Sequence, residues 1–215
     1  MAERPKGDQG DPLRTTDVGR GQCVGPYRVE GEIGRGGMGV VYAGVHAVDL
    51  SPVAIKVFHP YLLDAPAARA RFQREADLGR RIAHENVVRT LDVGRFDTEH
   101  GARDYLVMDL VEGRTLSRLI EEMGRVPEAL AREIGARIAA GLAAMHEMGI
   151  VHRDLKPDNV MITDDQDVRI ADLGIAKPLE ELKGLTLEGQ FLGSLAYASP
   201  EQCEGAELGP ASDVY

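Results

Sequence analysis

Between Ile150 and Asn159 the chain reads IVHRDLKPDN. His152, Arg153, Asp154, Lys156 and Asn159 place an imidazole, a guanidinium, a carboxylate, an ammonium and an amide within eight consecutive positions. A base, a charge clamp and a metal ligand this close together suit chemistry at one small substrate group. An exposed polar loop also contains such residues, so the segment alone does not decide. Other chemistry-bearing residues stand apart from it. Gly34, Gly36 and Gly39 fall at G-x-G-x-x-G spacing in IGRGGMGVVY, Lys56 ends V-A-I-K, Glu75 follows in RFQREA, and Asp172 opens D-L-G.

These residues need elements to hold them. Tyr27, Val29 and Ile33 alternate as in a strand, and order is expected to begin at Tyr27. VVYAGV (40–45) and PVAIKVF (52–58) read as further strands, with Pro52 at a strand start where a missing N–H is tolerated. Phe72, Ala76, Gly79 and Ala83 follow helical spacing. YLVMDLV (105–111) reads as a strand, and VMI and VRI flanking TDDQD as a hairpin. Residues 127–147 give the clearest helix, with Leu130, Ile134, Ile138, Leu142 and Met145 on one stripe and Pro127 in the first turn. Strands with one helix, then a long helix, predict two lobes joined near residues 110–114. Residues 1–25 lack an apolar pattern and read as a disordered tail.

Composition bounds the function. The 215 residues are 43% hydrophobic and 28% charged, enough for one large domain or two small ones. A formal net charge of −10 argues against a phosphate-backbone binder, so no nucleic-acid partner is expected. Cys23 and Cys203 give no disulfide framework and no metal spacing, and a reducing cytoplasm is the default. No signal peptide or membrane-length apolar run is read in the sequence. The six histidines form no H-E-x-x-H pair.

The Gly-rich segment has two familiar readings that fail. A dinucleotide site needs a helix after the glycines, and VVYAGV is strand-like. A Walker loop needs G-K-[ST], which is absent. A strand–turn–strand is left: either a plain flexible hairpin in a Gly-rich chain, or one in which backbone N–H groups face phosphate oxygens with no Cβ in the way. In a strand, residues two apart share a face, so Ala54 and Lys56 point opposite to Val53, Ile55 and Val57. A buried Lys56 needs a partner, which Glu75 can supply; taken alone, both also read as solvated charges.

In order, G-x-G-x-x-G-x-V, V-A-I-K, a helix with Glu75, H-R-D-L-K-P-D-N, D-L-G and S-P-E resemble the eukaryotic-type (Hanks-type) Ser/Thr protein kinases over roughly residues 25–215. GGMGVVYAG and YASPEQ look most like bacterial members. The resemblance implies an α+β, two-lobed kinase-like fold: a β-rich N-lobe over 26–111 with one key helix, and a mainly helical, incomplete C-lobe over 112–215. It implies transfer of the ATP γ-phosphoryl to protein Ser/Thr hydroxyls, with Mg²⁺ or Mn²⁺. Asp154 then accepts or orients the hydroxyl proton, Lys156 neutralises phosphoryl charge, and Asn159 and Asp172 bind metal. Lys56, held by Glu75, grips the α/β-phosphates. The nucleotide meets Ile33, Gly34, Arg35, Gly36, Gly37, Met38 and Gly39, and Val41, Ala54 and Met161 enclose adenine. Met108 looks like the gatekeeper, with the backbone of Asp109 and Val111 at the adenine edge. Arg153 is the docking point for a phosphorylated activation loop, with Thr186 the expected phosphosite and self-association the route to autophosphorylation; Tyr197 is expected to be packed.

Some positions depart from the family. Leu173 stands where Phe is commoner, Gly79 where a larger apolar residue is usual, Ser194 for Thr, and Ser199 for the Ala of A-P-E. Asp213 resembles the Asp that braces the catalytic loop, while Glu201 usually pairs with an Arg further along. The sequence stops at SDVY where the family continues, so a fragment of a longer signalling kinase is expected. Two other readings compete. A small-molecule phosphotransferase is disfavoured by Lys156 and by GSLAYASPEQ. An ATP-binding but poorly active scaffold is disfavoured by the presence of Lys56, Asp154, Asn159 and Asp172 together.

Overall fold

A computed structural model of the chain describes residues 18–173 and 196–215. The first half builds a six-stranded antiparallel sheet in the order β1-β2-β3-β4-β6-β5. Its strands are β1 (Cys23–Val24), β2 (Tyr27–Gly36), β3 (Gly39–His46), β4 (Pro52–Phe58), β5 (Thr90–Thr98) and β6 (Gly101–Asp109). Order therefore begins before Tyr27. Gly21 N–H donates to Val29 O, β1 pairs with β2, and Val24 is fully buried, which corrects the expected tail for residues 18–25.

The alternation in β4 sorts two cores. Val53, Ile55 and Val57 pack with Val29, Val40, Tyr42 and Val107 on one face. Ala54 and Phe58 face the other way, towards α1 (Pro60–Leu63) and α2 (Pro66–Gly79). There Phe72 meets Phe58 edge-on at 5.0 Å between ring centroids, and Phe72, Ala76 and Gly79 are the buried residues of α2. Ala83, assigned to the helical stripe from sequence, lies beyond the helix end and is exposed. Arg69 fastens α2 to the sheet by donating to Leu63 O at 2.6 Å and pairing with Asp104 at 3.4 Å.

The second half is carried by α3 (Leu116–Met123) and α4 (Glu128–Glu147), with a small sheet of β7 (Gly113–Thr115), β8 (Val160–Thr163) and β9 (Val168–Ile170). Ile134, Leu142 and Met145 of the α4 stripe are buried, while Leu130 and Ile138 are half-buried. Gly141 lets α4 approach the chain closely, since a Cβ there would sit 2.8 Å from Asn86 O. Asn86 in turn donates from Nδ2 to Val168 O at 2.8 Å. Ile170 N–H donates to Asn86 O and Ile170 O accepts from Val88 N–H, each at 2.8 Å, and with a parallel bridge from Val87 these contacts tie the first half to β9. Among the described residues two short helices follow, α5 (Pro200–Glu204) and α6 (Pro210–Val214).

Among the described residues no helix is long and apolar enough to cross a membrane. Cys23 and Cys203 are exposed free thiols.

Candidate active site

The β2–β3 hairpin turns over Gly37 and Met38, with Gly36 paired to Gly39. Gly39 is at φ +150°, and a Cβ there would collide with the Val57 carbonyl, so the close packing of β3 on β4 requires glycine. Arg35 is held by Glu32 through two hydrogen bonds, of 3.0 and 2.7 Å, on the exposed hairpin. Below it, Ala54 and Met108 are buried neighbours in register, with Val41 and Val111 packed against the same cluster. Met161 is half-buried on β8 and is not among that cluster's packing partners. Ile33 is exposed, and Asp109 N–H already donates to Arg89 O.

Lys56 is 7% exposed, so its ammonium requires a counter-charge. That charge is Asp172, with Nζ 2.6 Å from Oδ1. Burial alone pushes the Asp172 carboxyl up. The charge and hydrogen bond of Lys56, with a smaller contribution from Lys156, outweigh it and hold the group below the usual aspartate value. The expected Lys56–Glu75 pair is not the one observed: Glu75 Oε1 accepts from Arg153 Nη1 at 2.9 Å. Two ion pairs therefore share four residues, Lys56 with Asp172 and Arg153 with Glu75.

The 150–159 loop is braced from behind. Asp213 on α6 accepts from the backbone N–H groups of His152 and Arg153, each at 2.8 Å, and lies 2.8 Å from His146 Nε2. Arg153 and Asp172 both sit at positive φ, +66° and +57°. Such backbone costs of order 1 kcal/mol per non-glycine residue and persists where surroundings over-determine it. His152 is fully buried, and burial lowers its pKa against the pull of Ala171 O and of the Asp213, Asp154 and Asp172 carboxylates. The ring is thus the neutral Nε2–H tautomer: Nε2 donates to Ala171 O at 3.0 Å, and Nδ1 accepts from Asp154 N–H at 3.2 Å.

This fixes Asp154 at the front of the loop. Asn159 Nδ2 donates to Asp154 O at 2.7 Å and to its Oδ2 at 3.2 Å, and Lys156 Nζ lies 3.5 Å from the same oxygen. Both contacts engage the Asn159 amide nitrogen, so its side-chain carbonyl oxygen is not used in binding Asp154.

Ser199 makes a capping box for α5, accepting from Gln202 N–H and donating its own N–H to Gln202 Oε1. The replacement of Ala by Ser thus caps a helix, and Gln202 Nε2 reaches Arg153 O at 2.8 Å. Glu201 accepts from Ser212 in this structure. Tyr197 is 49% exposed rather than packed. Thr186 and Ser194 lie outside the described residues. Spacing gave no sign of the Arg153–Glu75 pair, whose partners are 78 residues apart, nor of the Tyr61–Gly37 hydrogen bond described below.

An antiparallel sheet with helices packed on one face, a Gly-rich hairpin, a buried lysine and a braced carboxylate–amide loop together define a protein-kinase-like architecture. The protein kinase domain model matches residues 27–215, and the chain belongs to the protein kinase family. Its relatives include the serine/threonine-protein kinases PknA of Corynebacterium glutamicum, 40% identical over 190 residues, and PknL of Mycobacterium tuberculosis, 37% identical over 189. Those alignments cover 88% of this chain but 40% and 46% of the relatives, so it spans less than half their length. The M. tuberculosis PknI kinase domain superposes with a TM-score of 0.75 at 27% identity, over 93% of this chain and 72% of that one. Use of ATP, a divalent metal ion and protein substrates is general to the family.

Proposed function

We propose that the chain carries the nucleotide site and catalytic loop of a Ser/Thr protein kinase, which transfers the ATP γ-phosphoryl to protein Ser/Thr hydroxyls. The observation that carries the reading is the convergence of Lys56 on Asp172 and of Asn159 on Asp154 in one cleft. Asp154, held by its own N–H and by Asn159, takes the hydroxyl proton as the substrate oxygen bonds to the γ-phosphorus. The bond from that phosphorus to the β,γ-bridging oxygen breaks, and ADP leaves. Lys156, beside Asp154, offsets charge on the transferred group. Such a loose transition state needs alignment and positive charge more than covalent help.

The side-chain carbonyl of Asn159 and the Asp172 carboxylate are hard oxygen donors, which fit Mg²⁺, with Mn²⁺ as a substitute. A divalent ion there would neutralise phosphate charge. Lys56 would then exchange Asp172 for the α/β-phosphates, and Glu75 would exchange Arg153 for Lys56. A phosphate on Thr186, added by a second copy of the chain, would offer Arg153 its alternative partner. Ile33, Val41, Ala54, Met108, Asp109, Val111 and Met161 are proposed to receive adenine.

The test is phosphoryl transfer from labelled ATP to a Ser/Thr peptide and to the chain itself. Lys56→Met is expected to abolish transfer while the melting transition stays cooperative. Undiminished transfer in that variant would overturn the assignment.

A further inference from the structure

The tip of the Gly-rich hairpin is gripped from the α1 side at two successive peptide groups. His59 N–H donates to Met38 O at 3.0 Å, one rung beyond the Gly39–Phe58 pairing. Tyr61 Oη donates to Gly37 O at 2.6 Å. The Tyr61 ring is exposed, yet it stands on a rigid base. It stacks on the His59 ring at 5.6 Å with planes 14° apart, His59 is 1% exposed, and Leu62 and Leu63 are buried in the core beneath.

A planar trans peptide directs its C=O and N–H to opposite sides. Fixing Gly37 O towards α1 therefore turns Met38 N–H away from α1. Nothing lies within 4 Å of where a Gly37 Cβ would be, so side-chain packing at residue 37 does not select this orientation. An outward N–H in a Gly-rich turn is the donor that a phosphate oxygen takes. We infer that Tyr61 is a positioning residue for the nucleotide's phosphates: through Gly37 O it presets the Met38 N–H that receives a phosphate oxygen. This rests on the reading of the cleft as an ATP site and assigns a role to a residue outside the motifs.

Calorimetric titration of the full chain with Mg-ATP and with adenosine tests it. Tyr61→Phe keeps the ring stack and deletes only the donor. It is expected to weaken ATP about three- to ten-fold, the range of one hydrogen bond, while adenosine affinity and melting temperature stay at wild-type values. Tyr61→Ala should show the same loss specific to ATP, together with a lower melting temperature. ATP affinity unchanged or tightened in Tyr61→Phe overturns the inference, as does a parallel loss for ATP and adenosine, which would mark a merely structural role. A wild-type chain that binds neither ligand would instead overturn the ATP-site reading, and the inference with it.

Discussion

At the scale of single residues, the Lys56–Asp172 pair is costly to leave half-made. Removing one member of a buried ion pair typically costs about 3–5 kcal/mol, and less where one partner is half-exposed, as Asp172 is here. Asp172→Asn is expected to lower unfolding stability at pH 7 by about 1–3 kcal/mol, because Lys56 stays buried without its counter-charge. The sign with pH follows from the depressed carboxyl. Stability from this group is fully present above the ordinary aspartate value of about 3.9 and is lost as pH falls through the lower, folded value. Urea melts of wild type and variant should differ most near neutrality and converge in acid, where Asp172 is protonated and carries no more charge than Asn. A gap that persists unchanged into acid would contradict the pairing.

At the scale of elements, α2 is held at two points. Arg69 anchors its first half to Leu63 O and Asp104, and Glu75 ties its second half to Arg153. The Arg153–Glu75 pair is mostly buried, so it is worth more than the 0.2–1 kcal/mol of an exposed pair. A double-mutant cycle on unfolding between Glu75→Ala and Arg153→Ala is expected to give a coupling of about 1–2 kcal/mol in the nucleotide-free chain. The cycle between Glu75→Ala and Lys56→Met should give less than about 0.5 kcal/mol. The reverse ranking would show Glu75 resting on Lys56.

Elements whose apolar residues repeat were legible in the sequence: β2, β3, β4, α2 and α4. β7, a three-residue GRT strand, has no pattern of its own and exists by pairing with β8. β6 begins four residues before its apolar run, because Arg103 and Asp104 are buried at 4% and 7% exposure with polar partners. Periodicity cannot announce a buried charge. The site was legible as a set of residue types, since each motif fixes its chemistry locally. Which charge pairs with which was not, because Arg153 reaches Glu75 only after 78 residues of chain fold back on α2.

At the scale of the molecule, the 150–159 loop is held by a helix that comes 60 residues later. Asp213 supplies two carboxylate oxygens to the backbone N–H groups of His152 and Arg153, and the oxygen that accepts from His152 also meets His146 of α4. One side chain thus joins α6, α4 and the loop that carries Asp154, and it holds Arg153 at positive φ. Asp213→Asn keeps the shape but replaces one acceptor by an NH₂ that faces donors. One buried N–H is left unsatisfied, at about 1–3 kcal/mol. The expected result is a loss of that size in unfolding stability, together with a fall in phosphoryl transfer well beyond the loss in nucleotide affinity. Most of the residues proposed to meet adenine and the phosphates lie on the six-stranded sheet, whereas Asp154 rides on the loop. Peptide phosphorylation and calorimetric ATP binding, measured on the same preparation, separate the two. Equal losses in both would show that Asp213 braces the whole fold rather than the loop.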